Sequence, residues 1–219
     1  MRFNTKEKKM LLYSLGTVVL IQGFHLVEAY INVDGLWTGI LLYLLLLGIT
    51  VFSVAKVEKK PLSYIGLKKP CLLDIPKGLL LGLCMFVAQQ IPLLLMKVDY
   101  SVYAMEPQWD YIIVVSLYCF LCVGFVEEVV FRGLLLQKSQ EIWKSKVICV
   151  GINILLFYLV HSLWFVFGEF YSIAVNVIFL SVFFFRSKNK SLVPLIIAHG
   201  FYDTLTSVVL PVFLFWIGY

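Results

Sequence analysis

Seven stretches of roughly 20 mainly apolar residues divide this chain, and a chain carrying so many has to fold in lipid. They run over residues 10–31, 35–55, 78–96, 111–136, 147–168, 170–185 and 192–218. With 61% hydrophobic and 14% charged residues among 219, a soluble domain of this length has nowhere to bury its apolar surface. The sixth stretch is short, and the seventh is interrupted by Pro211, so it reads as one helix or as a helix plus a re-entrant or second short piece. The expected fold is all-α: a polytopic transmembrane helical bundle of about seven spans, or eight if the last is broken. It forms a single membrane domain over 1–219, with no soluble domain, internal repeat or low-complexity tail.

Basic residues set the expected orientation. Arg2, Lys6, Lys8 and Lys9 precede the first span, and Lys56, Lys59, Lys60, Lys68, Lys69 and Lys77 follow the second. Lys138, Lys144 and Lys146 lie between the fourth and fifth, and Arg186, Lys188 and Lys190 between the sixth and seventh. The alternate loops hold only Lys97, with Asp34, Asp99, Glu106, Asp110 and Glu169. Positive-inside bias puts the N-terminus in the cytoplasm. The net charge of +5 then reports topology and contact with anionic lipid rather than nucleic acid. Tyr30, Trp37, Trp109, Tyr111, Trp164, Trp216 and Tyr219 form the expected outer aromatic band. The first span resembles a secretion signal but is too long and lacks a small-residue cleavage pattern, so an uncleaved anchor is expected. Five cysteines, mostly inside spans or on the cytoplasmic side, argue against a disulfide framework, and Cys119-x-x-Cys122 reads as packing. The linker from Lys56 to Lys77 suits a segment lying on the headgroups or a plain basic loop.

Against this background three polar patches stand out. The first is Glu127-Glu128-x-x-x-Arg132, inside a run from Tyr111 to Leu136 that otherwise carries no charge. An acid at the bilayer centre costs about 2.5–3.5 kcal/mol on insertion scales, so adjacent acids need a polar or water-filled interior. Glu128 and Arg132 are i and i+4 and share a face, while Glu127 is turned about 100° from its neighbour. One carboxylate is thus paired, and the other is free to act as a base toward water. The second patch ends Phe157-Tyr158-Leu159-Val160-His161; the third is His199-Gly200-Phe201-Tyr202-Asp203, again an i, i+4 pair. A glutamate with two histidines and a further polar group is enough to activate water and stabilise an oxyanion, and is close to a metal-ligand set. Counting about 1.5 Å per residue, Glu128 and His199 come out about 12–15 Å from the cytoplasmic boundary and His161 nearer 20 Å.

These motifs resemble the CPBP family of intramembrane peptidases, which includes the type II CAAX prenyl endopeptidases and the bacterial Abi proteins linked to bacteriocin self-immunity. The family pattern is EExxxR, FxxxH, then HxxxN or HxxxD; here the three read EEVVFR, FYLVH and HGFYD, in order, within a core of 111–207. The resemblance implies an intramembrane endopeptidase whose site opens toward the cytoplasm. It hydrolyses a peptide bond of a membrane-associated protein or peptide, with bacteriocin processing or self-immunity as a setting. The same resemblance points to the multi-pass plasma membrane of a bacterium. By motif position Glu127 looks like the water-activating base, helped by His161; Glu128 and Arg132 look like a supporting pair; His199 with Asp203 looks like the group facing the oxyanion. Prenyl endopeptidases usually carry Asn at the last position; ionised Asp203 cannot donate, so it orients His199 or binds a cation. No cofactor is fixed by the pattern: a zinc version would use Glu127, His161, His199 and Asp203, and a metal-free version the glutamate alone.

A purely structural reading makes the charges a salt-bridge network between helices. His25 and Glu28 sit near the outer face, where side chains snorkel to water, and Gln89, Gln90, Asn153 and Asn176 suit interhelical hydrogen bonds. HExxH and GxSxG are absent, and no second intramembrane aspartate exists to form a dyad with Asp203. Two rivals of other classes stand beside the peptidase: a non-catalytic membrane partner or immunity protein, and a proton-coupled transporter. The lack of a two-fold repeat speaks against the second.

Overall fold

The computed structural model describes residues 4–31, 35–96, 103–164 and 166–218. Arg2, Asp34, Lys97, Asp99 and Tyr219, used above for orientation and the aromatic band, lie outside the described residues. Among those described no strand occurs, and the helices are α1 (Thr5–Ile31), α2 (Gly35–Val57), α3 (Asp74–Leu95), α4 (Trp109–Ile142), α5 (Lys146–His161), α6 (Phe167–Arg186) and α7 (Val193–Trp216). All but α5 are long and apolar enough to cross a membrane. The chain is a multi-pass helical membrane protein.

Two boundaries differ from the expected ones. The short span is the fifth rather than the sixth. At 16 residues α5 rises about 24 Å, less than the hydrocarbon thickness of roughly 30 Å. It stops because the Tyr158 hydroxyl takes over the backbone beyond it, donating to the Trp164 carbonyl (2.7 Å) and accepting from the Val166 N–H (2.8 Å). The seventh span is continuous. A wide π turn over Leu205–Val209 precedes Pro211 and accommodates the missing N–H without a break. Similar wide turns occupy Cys119–Gly124 and Glu128–Leu135 of α4, on both sides of Glu127.

Glycines let α3, α4 and α7 meet backbone to backbone. A Cβ on Gly124 would lie 2.9 Å from the Gly200 nitrogen, and one on Gly82 would lie 2.6 Å from the Ala198 carbonyl oxygen. Small residues at such crossings are what allow membrane helices to gain packing contacts. Apolar side chains fill the interior in two groups, one around Phe131, Phe157 and Val126, the other around Ile65, Leu192 and Leu195.

The Lys-rich end is more ordered than a basic loop. Residues Leu62–Ile65 form a 3-10 turn that buries Ile65 against Gly133, and the Gly66 carbonyl accepts from the Leu192 N–H at 3.0 Å. The Leu62–Gly66 part of the linker therefore docks on the bundle, while Leu72 and Leu73 further along stay exposed. Lys138 belongs to α4, not to a loop, and is buried beside Glu58 at 2.8 Å and Glu141 at 3.4 Å. Burial alone would push the Glu58 carboxyl up, but Lys138, Lys9 and Tyr13 hydrogen-bond to it and take it from 4.5 to about 2. A carboxyl that binds protons less readily when folded contributes stability above its unfolded value and loses it as pH falls through the folded one. In thermal melts, the stability gap between the parent and Glu58→Gln should be widest above pH 4.5 and close as pH falls toward 2. A gap independent of pH there would show that the carboxylate charge contributes nothing.

The candidate active site within the membrane

The wide turns of α4 present Glu127, Glu128 and Arg132 to four neighbouring helices. Glu128 and Arg132 have no solvent exposure. Glu128 Oε1 accepts from Arg132 Nη1 at 2.8 Å, and Arg132 Nη2 donates to Asn176 Oδ1 of α6 at 2.7 Å. The guanidinium also lies 5.0 Å from the Phe157 ring centroid on α5, a cation–π distance. The expected i, i+4 pair thus forms and ties α4 to α5 and α6.

From α7, His199 turns Nδ1 to the same Glu128 Oε1, again at 2.8 Å. Glu128 therefore holds the ring orientation. Asp203 instead faces the other nitrogen, with Oδ2 3.5 Å from Nε2, and Glu127 Oε2 lies 3.8 Å from Nε2. The expectation that Asp203 orients His199 is thus met chiefly by Glu128, because Nδ1 points toward α4 and Nε2 up the axis of α7.

Glu127 is 6% exposed. Its Oε1 accepts from the Tyr43 hydroxyl of α2 at 2.5 Å, while Oε2 is buried and has no hydrogen-bond partner. One oxygen is anchored, and the other is left to accept from water or substrate. Glu127, Glu128, Arg132, His199 and Asp203 form one contiguous cluster.

His161 is the residue not brought into contact. It ends α5, its Nδ1 bonds to the Phe157 carbonyl at 2.7 Å, and it makes no hydrogen bond or ion pair to the acids. It is close enough to Asp203 to share its electrostatic field. Phe157 links the two histidines, with its ring stacked on His161 at 4.6 Å and 6.2 Å from His199. With Nδ1 committed to a carbonyl, His161 keeps Nε2 for other chemistry. It borders a cavity of about 640 Å³ shared with Gln89, Gln90, Glu169, Ser172 and Thr206. That cavity lies toward the end of the bundle away from the Lys-rich loops, whereas the resemblance implied an opening on the Lys-rich side.

Sequence reasoning missed Tyr43, since a tyrosine in a span carries no signal of its own. Asn176 was read as an interhelical hydrogen-bonder and is one, to Arg132. Gln89 acts likewise, donating to Ser172 and accepting from Tyr202. Cys119 and Cys122 are free. Glu28 accepts from the Thr38 hydroxyl, away from the cluster.

Among the described residues no three His, Cys, Asp or Glu side chains are arranged to hold a metal ion. The orphan Oε2 of Glu127 and Oδ2 of Asp203 face the same imidazole nitrogen of His199, and His161 stands apart from them.

Residues 108–205 match the family model described as type II CAAX prenyl endopeptidase Rce1-like. This segment belongs to that family. It spans all three motifs and the five clustered residues, and the match supports an intramembrane peptidase at family level. No curated protein and no solved structure matches the chain at a significant level.

Proposed function

We propose that this protein is an endopeptidase that cleaves a peptide bond of a membrane-associated protein or peptide with a water activated by Glu127. The observation that carries the proposal is the buried, unpartnered Oε2 of Glu127, 3.8 Å from His199 Nε2, inside the domain that matches the peptidase family. In this reading Oε2 accepts a hydrogen bond from water and takes its proton as the oxygen attacks the scissile carbonyl. His199, held through Nδ1 by Glu128, presents Nε2 to the oxyanion. Glu127 then returns the proton to the leaving amine. His161 acts from the far side of Phe157, through Nε2, on substrate or leaving group. The Glu128–Arg132–Asn176 chain keeps these groups in register. Bacteriocin processing or self-immunity in a bacterial plasma membrane is the setting the motif resemblance favours.

Comparative proteomics of membrane peptides from cells with the parent protein and with Glu127→Gln tests turnover and names the substrate together. Fragments lost in the variant support the proposal; identical peptide pools sink it. Two expectations refine the mechanism. Chelation of the purified protein should leave peptide cleavage unchanged; loss of activity that zinc restores would overturn the metal-free version. Tyr43→Phe removes one hydrogen bond to a charged group, worth about 1.5–3 kcal/mol, and should slow cleavage by roughly tenfold to a hundredfold. Parental rates in that variant would show that Tyr43 plays no part in holding Glu127.

A further inference from the structure

The Lys-rich end of α6 stands between two apolar grooves. One, of about 830 Å³, runs between α3, α6 and the start of α7 and is walled by Leu81, Phe179 and Phe183. The other, of about 460 Å³, runs between α5 and α6 along Val150, Gly151 and Ile154. Both are bounded by the same three residues of α6, Ile178, Val182 and Arg186. Spaced four apart, these form a single ridge along the helix. The ridge is apolar and exposed at Ile178 and Val182, and it ends in the guanidinium at the level where the apolar span stops.

Charge gathers at that end of the ridge. Lys77 and Lys188 rim the first groove, Lys146 rims the second, and Arg186 belongs to both. Lys146 Nζ leans toward α6, 5.5 Å from the Phe185 ring centroid. Among the described residues none of these four cations pairs with a carboxylate. The acid that lines the first groove, Asp74, is engaged by the Cys71 N–H at 2.9 Å. Two furrows at acyl-chain depth, meeting at unpaired cations at headgroup depth, have the chemistry of a two-chain lipid whose head is anionic. A guanidinium suits the phosphate because it can donate two parallel hydrogen bonds.

We propose that the grooves astride α6 bind one anionic diacyl phospholipid, with its phosphate at Arg186 and one acyl chain on each side of the Ile178–Val182 ridge. The site is separate from the Glu127 cluster and does not rest on the peptidase reading.

The test is native mass spectrometry of delipidated full-length protein in neutral detergent, titrated with dioleoyl phosphatidylglycerol or dioleoyl phosphatidylcholine. One phosphatidylglycerol should bind in preference to phosphatidylcholine. The double variant Lys146→Gln/Arg186→Gln should weaken it on the order of thirtyfold, about fivefold per basic residue at headgroup level. Lys56→Gln/Lys69→Gln removes the same charge elsewhere on that side and should leave binding unchanged. Gly151→Phe probes the groove itself: a Cβ there meets nothing within 4 Å, so the ring enters the furrow without disturbing the helix, and helix content measured alongside checks this. That variant should also weaken binding with all charges intact. Equal affinity for the two lipids, equal loss in the control pair, parental binding by Gly151→Phe, or displacement by excess inorganic phosphate would each overturn the proposal.

Discussion

Glu127→Gln should lower the rate of peptide cleavage by about 10²–10⁴-fold while the protein stays folded. The side chains match in shape, which matters at a site only 6% exposed. The Tyr43 hydroxyl, 2.5 Å from Oε1 in the parent, still finds a carbonyl oxygen to donate to. What disappears is the basic Oε2, whose place is taken by an amide that cannot accept a proton. Glu127→Asp makes the companion case, because it keeps the charge and withdraws it by one methylene. Misplacement of a reacting group by about 1 Å can cost on the order of a hundredfold, so this variant should also be slow. Both are measured as turnover of a peptide substrate by purified protein in liposomes, with melting temperature recorded alongside. A Gln variant that turns over at the parental rate removes Glu127 from the chemistry and leaves the acids as a packing network.

Arg132→Met should destabilise the protein by about 3–5 kcal/mol, the usual cost of removing one partner from a buried ion pair. Here the cost is concentrated, since the guanidinium has no solvent exposure and serves Glu128, Asn176 and the face of Phe157 at once. Its loss leaves the Glu128 carboxylate buried with only His199 to answer it. Adding Glu128→Gln should restore much of the stability, because the remaining pair is then uncharged. A double-mutant cycle in a denaturant titration measures that coupling. It should exceed the 0.2–1 kcal/mol typical of exposed pairs; a value inside that range would mean the pair contributes no more than a surface one. Read together, the two experiments separate roles: Glu127 variants lose rate and keep stability, whereas Arg132 variants lose both.

Hydropathy and i, i+4 spacing carried most of what the sequence revealed. The apolar runs gave the helices to within a few residues, because lipid leaves the backbone few alternatives. Glu128 with Arg132, and His199 with Asp203, came close on one face as their spacing required. The failures share a different cause. The end of α5 is set by the Tyr158 hydroxyl reaching two backbone groups beyond the helix, a tertiary contact that no local pattern announces. Lys138 counted as a loop cation and is buried, because α4 continues to Ile142 and Glu58 arrives from the end of α2 to meet it. Tyr43 was invisible for the same reason: its importance comes from α2 lying beside Glu127, not from its neighbours in sequence. His161 was grouped with the acids by its motif. Depth counting had set it apart from Glu128 and His199, and it does stand apart, on the far side of Phe157.

The glycine crossings restrict which helices can move against one another. Where Gly124 meets Gly200 and Gly82 meets Ala198, main chains touch with no side chain between them that might swing aside. Helices α3, α4 and α7 therefore behave as one stiff block that carries Glu127, Glu128, Arg132, His199 and Asp203 together. In the peptidase proposed above, α2 bearing Tyr43 and α5 bearing His161 stand outside that block, so a strand that parts them loosens the Tyr43 anchor on Glu127 while Glu128, His199 and Asp203 stay together.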